Sequence, residues 1–180
     1  MNDAPDLIAP VDAELHGAAI IAAIKQANVG TVVTVPDRTT AAGLLRPIAA
    51  DVELRHVRVS EEDETIAICA ALSYADQRAL ALFQYTGLLD SINAVRGVAV
   101  EYQMPICMMV GLLSKEPGLA PTASKHYGLR IIEPILDVMG VDHTLIETDD
   151  DIPKIVPAID KAYETSRPVV MLIGRMPIAP

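Results

Sequence analysis

Six short apolar runs punctuate the chain: Thr31 to Val35, Leu54 to Val59, Ala79 to Phe83, Pro105 to Val110, Thr144 to Glu147 and Pro168 to Gly174. Apolar runs this short, bounded by turn residues, read as strands. Between them apolar positions recur at helical spacing. Val11 to Asn28 carries Leu15, Ala18, Ala19, Ala22 and Ala23 on one face, with Asn28 and Gly30 at its end. Further helices are predicted from Thr39 or Thr40 to Ala49, from Glu61 to Asp76, from Ile92 to Tyr102, from Leu129 to Met139 with Pro134 in its first turns, and from Asp151 onward with Pro153 placed early. The stretch from Gly111 to Gly128 has no such pattern, and a loop that long in a compact domain is usually functional or mobile. Strict alternation of strand and helix predicts an α/β fold: a three-layer, doubly wound parallel sheet of about six strands with helices on both faces. Residues 1–10 read as a flexible tail and 11–180 as a single domain without repeats or linkers.

Composition refines this picture. Hydrophobic residues make up 51% of the 180, yet aromatic residues only 3%, with no Trp and one Phe, so the core is built from Val, Ile, Leu, Ala and Met. Such a core suits parallel strands covered on both sides. A net charge of −10 argues against nucleic-acid or anionic-membrane binding, since both require the opposite sign. Cys69 and Cys107 lie inside apolar runs and read as core residues, not as a disulfide or metal pair. The opening MNDAPDLIAP lacks a signal pattern, and no apolar run of about 18 residues is found. The expectation is a soluble, cytoplasmic protein.

Nucleotide fingerprints are missing: no strand is followed by G-x-G-x-x-G, and there is no G-x-x-x-x-G-K-[ST]. The four histidines are scattered, without a G-x-S-x-G or H-E-x-x-H to recruit them. Asp149, Asp150 and Asp151 suit a helix cap better than a Mg²⁺ site, and no metal ligand is assigned. Two polar features stand at predicted carboxyl ends of strands, where ligands of open α/β sheets sit. One is the acidic run Glu61, Glu62, Asp63 and Glu64; the other is the turn from Gln84 to Asp90. With Ser60 as N-cap, the acidic run is explained by favourable interaction with the helix dipole, and a catalytic carboxylate among the four is the alternative.

Taken in order, Val35-Pro36-Asp37, the acidic helix start, and Q-Y-T-G-L-L-D-S-I-N at Gln84 to Asn93 resemble the pyrimidine-binding domain of thiamine diphosphate enzymes. Within that group the chain is most similar to the sulfopyruvate and phosphonopyruvate decarboxylases, in particular to the separately encoded α subunit of the former. The likeness runs from about Leu15 to Arg175 and includes EEDETIAICAALSYA and PVVMLIGR.

That resemblance implies the site residues. Counting back from Gln84, the family's cofactor-activating glutamate falls on Glu62, with Glu61 next and Glu64 third. The chemistry asks for a carboxyl group in an apolar setting, protonated so that it donates to N1′ of the cofactor's aminopyrimidine. Pro36, Gln84, Thr86, Gly87 and Asn93 are implied as cofactor contacts. Asp37, Arg38 and Tyr85 are implied near the substrate, although a Pro-Asp turn ahead of a helix explains Arg38 equally well. Lys125 and His126 could bring positive charge to an anionic substrate, or belong to a plain exposed loop. The family usually writes the turn nearer to Q-N-S-G-L-G-N-S-I-N; here Tyr85, Leu89 and Asp90 depart from it. The Gly-Asp-Gly signature of the diphosphate-binding domain is absent. The implied protein is therefore the α subunit of a two-chain decarboxylase of a small anionic 2-oxo acid. Thiamine diphosphate would bind across the interface, with Mg²⁺ held by a separate β subunit, in a hetero-oligomer such as α2β2 or larger. The alternatives are a subunit of an acetolactate-synthase-like carboligase and a non-catalytic, flavodoxin-like module. The helix from Thr65 to Tyr74 is the candidate subunit contact.

Overall fold

The structure is a computed structural model that describes residues 7–179. Strands β1 (Thr31–Thr34), β2 (Arg55–Arg58), β3 (Ala79–Gln84), β4 (Cys107–Gly111), β5 (Asp142–Ile146) and β6 (Val169–Ile173) form one sheet. Its order is β2-β1-β3-β4-β6-β5, and every neighbouring pair is parallel. Strands β1, β4 and β6 are wholly buried and β3 nearly so, whereas the edge strands β2 and β5 are partly exposed. Near-continuous apolar runs are what a strand covered on both faces requires.

Alternation along each strand divides the core in two. Val32, Leu82, Met109 and Met171 point to one layer, where α1 (Gly17–Gln26), α2 (Arg46–Ala50) and α8 (Ile155–Thr165) contribute Ile24, Ile48 and Ile159. Val33, Phe83, Met108 and Leu172 point to the other, where α3 (Glu62–Tyr74) and α7 (Ile132–Met139) contribute Ile66 and Leu136. The expected three-layer α/β architecture is therefore the observed one. Cys69 and Cys107 are free and buried on opposite layers, and burial pushes the Cys69 thiol up to about 12 and that of Cys107 higher still. Among the described residues no helix is long and apolar enough to cross a membrane.

Several boundaries depart from the hydrophobic pattern for identifiable reasons. The first helix starts at Gly17 instead of Val11, because the preceding stretch is bound elsewhere: Arg175 takes the carbonyls of Val11 and Ala13, and Asp149 takes the His16 N–H at 2.7 Å. Residues 1–6 of the expected tail lie outside the described residues, and Ile8 donates its N–H to Gly118 O at 2.7 Å. The helix after β1 is wound wide over Ala41–Leu45 before α2, where Pro47 has no N–H to give the preceding turn. Pro134 has the same effect on the helix near Leu129: α6 (Tyr127–Arg130) breaks at Ile131, and α7 carries Pro134 in its first turn. In the acidic turn after β5 the N-cap is Thr148, not Asp151. Asp151 accepts the N–H groups of Glu147 and Thr148, both at 2.9 Å, at the start of a 3-10 turn over Asp149–Lys154.

Strand β1 leads out to β2, and the chain then returns to place β3 on the other side of β1. The connections leaving β1 and β3 cover opposite faces, since Leu44 after β1 packs in one layer and Leu88 after β3 in the other. A crevice opens at the carboxyl ends of such strands. The segments at this crevice are Val35 to Arg38 and α4 (Tyr85–Asp90), and the start of α3 reaches it from the side.

Candidate active site

The acidic run resolves into different duties. Glu61, not Ser60, is the N-cap of α3, and it forms a reciprocal capping box with Glu64. Glu64 Oε2 accepts the N–H groups of Ser60 and Glu61, each at 3.0 Å. The helix end is thereby satisfied without Glu62. Among the described residues the Glu62 carboxylate has no hydrogen bond or ion pair; only its backbone carbonyl is engaged, accepting from Thr65 Oγ1 at 2.5 Å. Its half-buried side chain leans across to α4 and lies over Gly87, where even a methyl group would collide with the carboxyl. Thus Gly87, buried in the first turn of α4, is what allows the two helix starts to approach.

Asp90 completes this corner. Carboxylate oxygens of Glu61, Glu62 and Asp90 lie within 4.8 Å of one another, with Glu61 and Asp90 exposed and Glu62 half-buried. Carboxylates at this spacing suffice to chelate a cation, but exposed acidic groups gather in this way without one, and the grouping alone assigns no ligand. The surroundings of Glu62 on this chain are less apolar than the sequence implied: acidic neighbours and solvent stand on its open side.

The remaining predicted residues divide. Gln84 is the N-cap residue of α4, and its Nε2 donates to Thr86 Oγ1 at 3.0 Å, so both stand beside Gly87 at the crevice. Asn93, in the short helix α5 (Ile92–Ala94), is exposed and accepts from Arg96 at 3.0 and 3.2 Å. Tyr85 packs its ring against Gly128, which brings the long loop up to α4. Leu89 is half-buried against the apolar layer, filling space where the family's pattern has glycine.

Pro36 and Arg38 are exposed, but Asp37 is turned inward and only 3% exposed. Its carboxylate accepts from Thr39 N at 3.1 Å, Thr40 N at 3.0 Å and Thr40 Oγ1 at 2.9 Å. Asp37 therefore shapes the loop after β1 and caps the helix that follows, with its carboxylate already taken up by Thr39 and Thr40. Lys125 is exposed and 3.8 Å from Glu116, a weak surface pair, and the His126 N–H donates to Ser124 Oγ at 3.1 Å. Neither side chain is brought to Glu62 by a contact.

A cluster the pattern did not announce occupies the other half of the same edge. Glu147, after β5, is 2% exposed. It pairs with Lys115 Nζ at 2.7 Å and Arg175 Nη2 at 3.2 Å, and accepts Gly118 N at 3.0 Å. The Lys115 pair is a close charge contact without hydrogen-bond alignment, since Glu147 Oε2 has no hydrogen-bond partner. Arg175 also binds the Pro10, Val11 and Ala13 carbonyls, tying the amino-terminal stretch to the end of β6.

No known protein-family profile matches the chain. The sulfopyruvate decarboxylase subunit alpha of Methanocaldococcus jannaschii is 27% identical over 163 residues, which are 88% of this chain and 92% of that one. Its counterpart in Methanococcus maripaludis is 28% identical over 160 residues, 88% of this chain and 93% of that one. The sulfopyruvate decarboxylase of Methanosarcina acetivorans is 25% identical over 159 residues, but these are only 39% of that protein. Among solved structures, the 2-oxoglutarate:ferredoxin oxidoreductase from Magnetococcus marinus superposes with a TM-score of 0.68 over 93% of this chain, at 19% identity. The match spans 29% of the oxidoreductase chain and speaks for the fold alone. Carried on the α/β fold expected of a pyrimidine-binding domain, the chain is similar along nearly nine-tenths of its length to the alpha subunits of sulfopyruvate decarboxylase.

Proposed function

We propose that this chain is the α subunit of a two-chain, thiamine diphosphate-dependent decarboxylase of a small anionic 2-oxo acid such as sulfopyruvate. The observation that carries this reading is the division of labour in the acidic run. A capping role accounts for Glu61 and Glu64; of the two that remain, Asp63 is exposed and Glu62 has its carboxyl lying free against Gly87.

The residues present fit the cofactor's pyrimidine end. Glu62 offers an uncommitted carboxyl at the switch-point crevice, Gly87 leaves the space it occupies, and Gln84 and Thr86 stand beside it with side-chain polar atoms. When bound, thiamine diphosphate supplies the electron sink that accepts the pair released with CO₂. Glu62 would hold the proton directed to the pyrimidine nitrogen, and Gly87 of α4 leaves the space in which that carboxyl lies. Asp37 holds the loop after β1 in shape through Thr39 and Thr40, and the exposed Arg38 on that loop would meet the substrate. Mg²⁺ and the diphosphate belong to the β subunit, which also covers the open side of Glu62 and supplies the apolar surroundings this chain lacks. The outer face of α3, where Ala67, Ala71 and Tyr74 are exposed, is the assigned contact for that subunit.

The test is the chain co-expressed with a β subunit that carries the Gly-Asp-Gly domain. The assembled pair releases CO₂ from sulfopyruvate, and Glu62→Gln lowers the rate by about 100-fold or more while the circular dichroism spectrum is retained. Full activity of Glu62→Gln removes the assignment. A coupled ketone in place of the aldehyde moves the protein to the carboligases.

A further inference from the structure

Between the loop after β1 and those after β4 and β6 lies a cleft of about 360 Å³, lined among others by Arg38, Thr39, Leu112, Lys115, Gly174 and Arg175. Its polar atoms are incompletely satisfied. Thr39 is 3% exposed, yet its hydroxyl has no hydrogen-bond partner, and the buried Nε–H of Arg175 has none either. Buried polar groups in native structures are normally paired, so two orphans on one cleft point to a ligand that pairs them. The charges agree. Lys115 and Arg175 share the single carboxylate of Glu147, and Arg38 has no ion-pair partner among the described residues. Asp37, the other acid nearby, is taken up by three bonds from Thr39 and Thr40. A cleft with surplus positive charge is thus maintained on a chain of net charge −10.

We propose that this cleft is an anion subsite that takes the tetrahedral oxyanion tail of the substrate, a sulfonate or phosphonate. Arg38 and the Nε–H of Arg175 donate to it, and the Thr39 hydroxyl donates a third hydrogen bond. Three acceptor oxygens on a tetrahedral group match donors arriving from different loops better than a planar carboxylate does. The cleft opens at the same edge as the Glu62 corner, and β1, whose following loop carries Arg38 and Thr39, lies directly beside β3, which ends at Gln84. This inference rests on the decarboxylase reading and adds the part of the substrate that this chain recognises.

Sulfoacetate, which has the tail without the reacting 2-oxo group, is the probe, with acetate at matched ionic strength as the comparison. Calorimetry on the full chain is expected to show saturable sulfoacetate binding, weakened about tenfold by Arg38→Gln and by Thr39→Val, restored by Thr39→Ser, and unchanged by the remote Lys161→Gln. In the assembled enzyme Arg38→Gln raises KM for sulfopyruvate by a similar factor and leaves kcat within about twofold. Undetectable binding to the wild-type chain, equal binding by wild type and both cleft variants, or equal binding of acetate would overturn the subsite. The Glu62→Gln variant separates the two claims: it keeps sulfoacetate binding while losing turnover. If it instead retains full turnover, the decarboxylase role of Glu62 falls, and the sulfoacetate comparison still decides the subsite.

Discussion

Glu62 and Glu147 stand at the same edge of one sheet, and each lies against a glycine, Gly87 for one and Gly174 for the other, where an added methyl group would strike the carboxyl. Their circumstances are otherwise opposite. Glu147 is 2% exposed and has two cations and a backbone N–H around it. Glu62 is half-buried and has no partner for its carboxyl among the described residues. A buried carboxylate surrounded by donors holds loops together, because removing any member leaves another charge uncompensated. A carboxyl kept out of its own helix cap and held beside a switch-point crevice is available for chemistry. Under the proposed function the contrast is one between scaffold and reagent within a single acidic protein.

The strongest way to break the contrast is to remove the saturated carboxylate. Glu147→Gln leaves Lys115 and Arg175 buried without their counter-charge, and is expected to lower unfolding free energy by about 3–5 kcal/mol in urea titrations. A loss below about 1 kcal/mol would show that the cluster is not structural. Gly87→Ala is expected to do the reverse. It displaces Glu62 and lowers turnover of the assembled enzyme by roughly ten- to a hundredfold, while leaving the melting midpoint within a few degrees. Unchanged turnover would detach Gly87 from the site. The capping pair sharpens the division inside the acidic run: Glu64→Ala costs about 1 kcal/mol of stability and leaves catalysis intact, whereas Glu62→Gln leaves stability intact.

The smallest effect concerns Asp151. Desolvation alone would raise its carboxyl, but Lys154 at 2.6 Å and the Glu147 and Thr148 N–H groups hold it below the usual 3.8. A folded-state pKa below the unfolded one stabilises the protein above the ordinary carboxylate range, and that contribution disappears as pH falls through the lowered value. Wild type and Asp151→Asn should therefore differ in denaturation midpoint at pH 6 and converge toward pH 2. A gap that widens on acidification would reverse the assignment.

The layers of the fold were legible because burial on two faces imposes near-continuous apolar runs on β3, β4 and β6 and a β-branched one on β1, and all four runs became strands. Helix ends were less legible, since they are decided by single bonds. Glu61 replaced Ser60 as a cap once Glu64 could reciprocate three residues on. Asp37 carried a readable signal, an aspartate followed two and three residues later by Thr39 and Thr40, which is the pattern of a loop-closing cap. The cluster of Lys115, Glu147 and Arg175 carried none. Each residue follows a different strand, and hydrophobic periodicity says nothing about which loop side chains meet. The position of Glu62 came from the resemblance, and its freedom from the cap came only from the geometry.

The most direct measurement is the exchange of the C2 hydrogen of thiamine diphosphate for deuterium, followed by proton NMR in the assembled two-chain enzyme with wild-type chain or with Glu62→Gln. The account predicts fast exchange with Glu62 and exchange slowed by about two orders of magnitude or more with glutamine, at equal cofactor occupancy and equal stability. Equal exchange rates in the two proteins would contradict it.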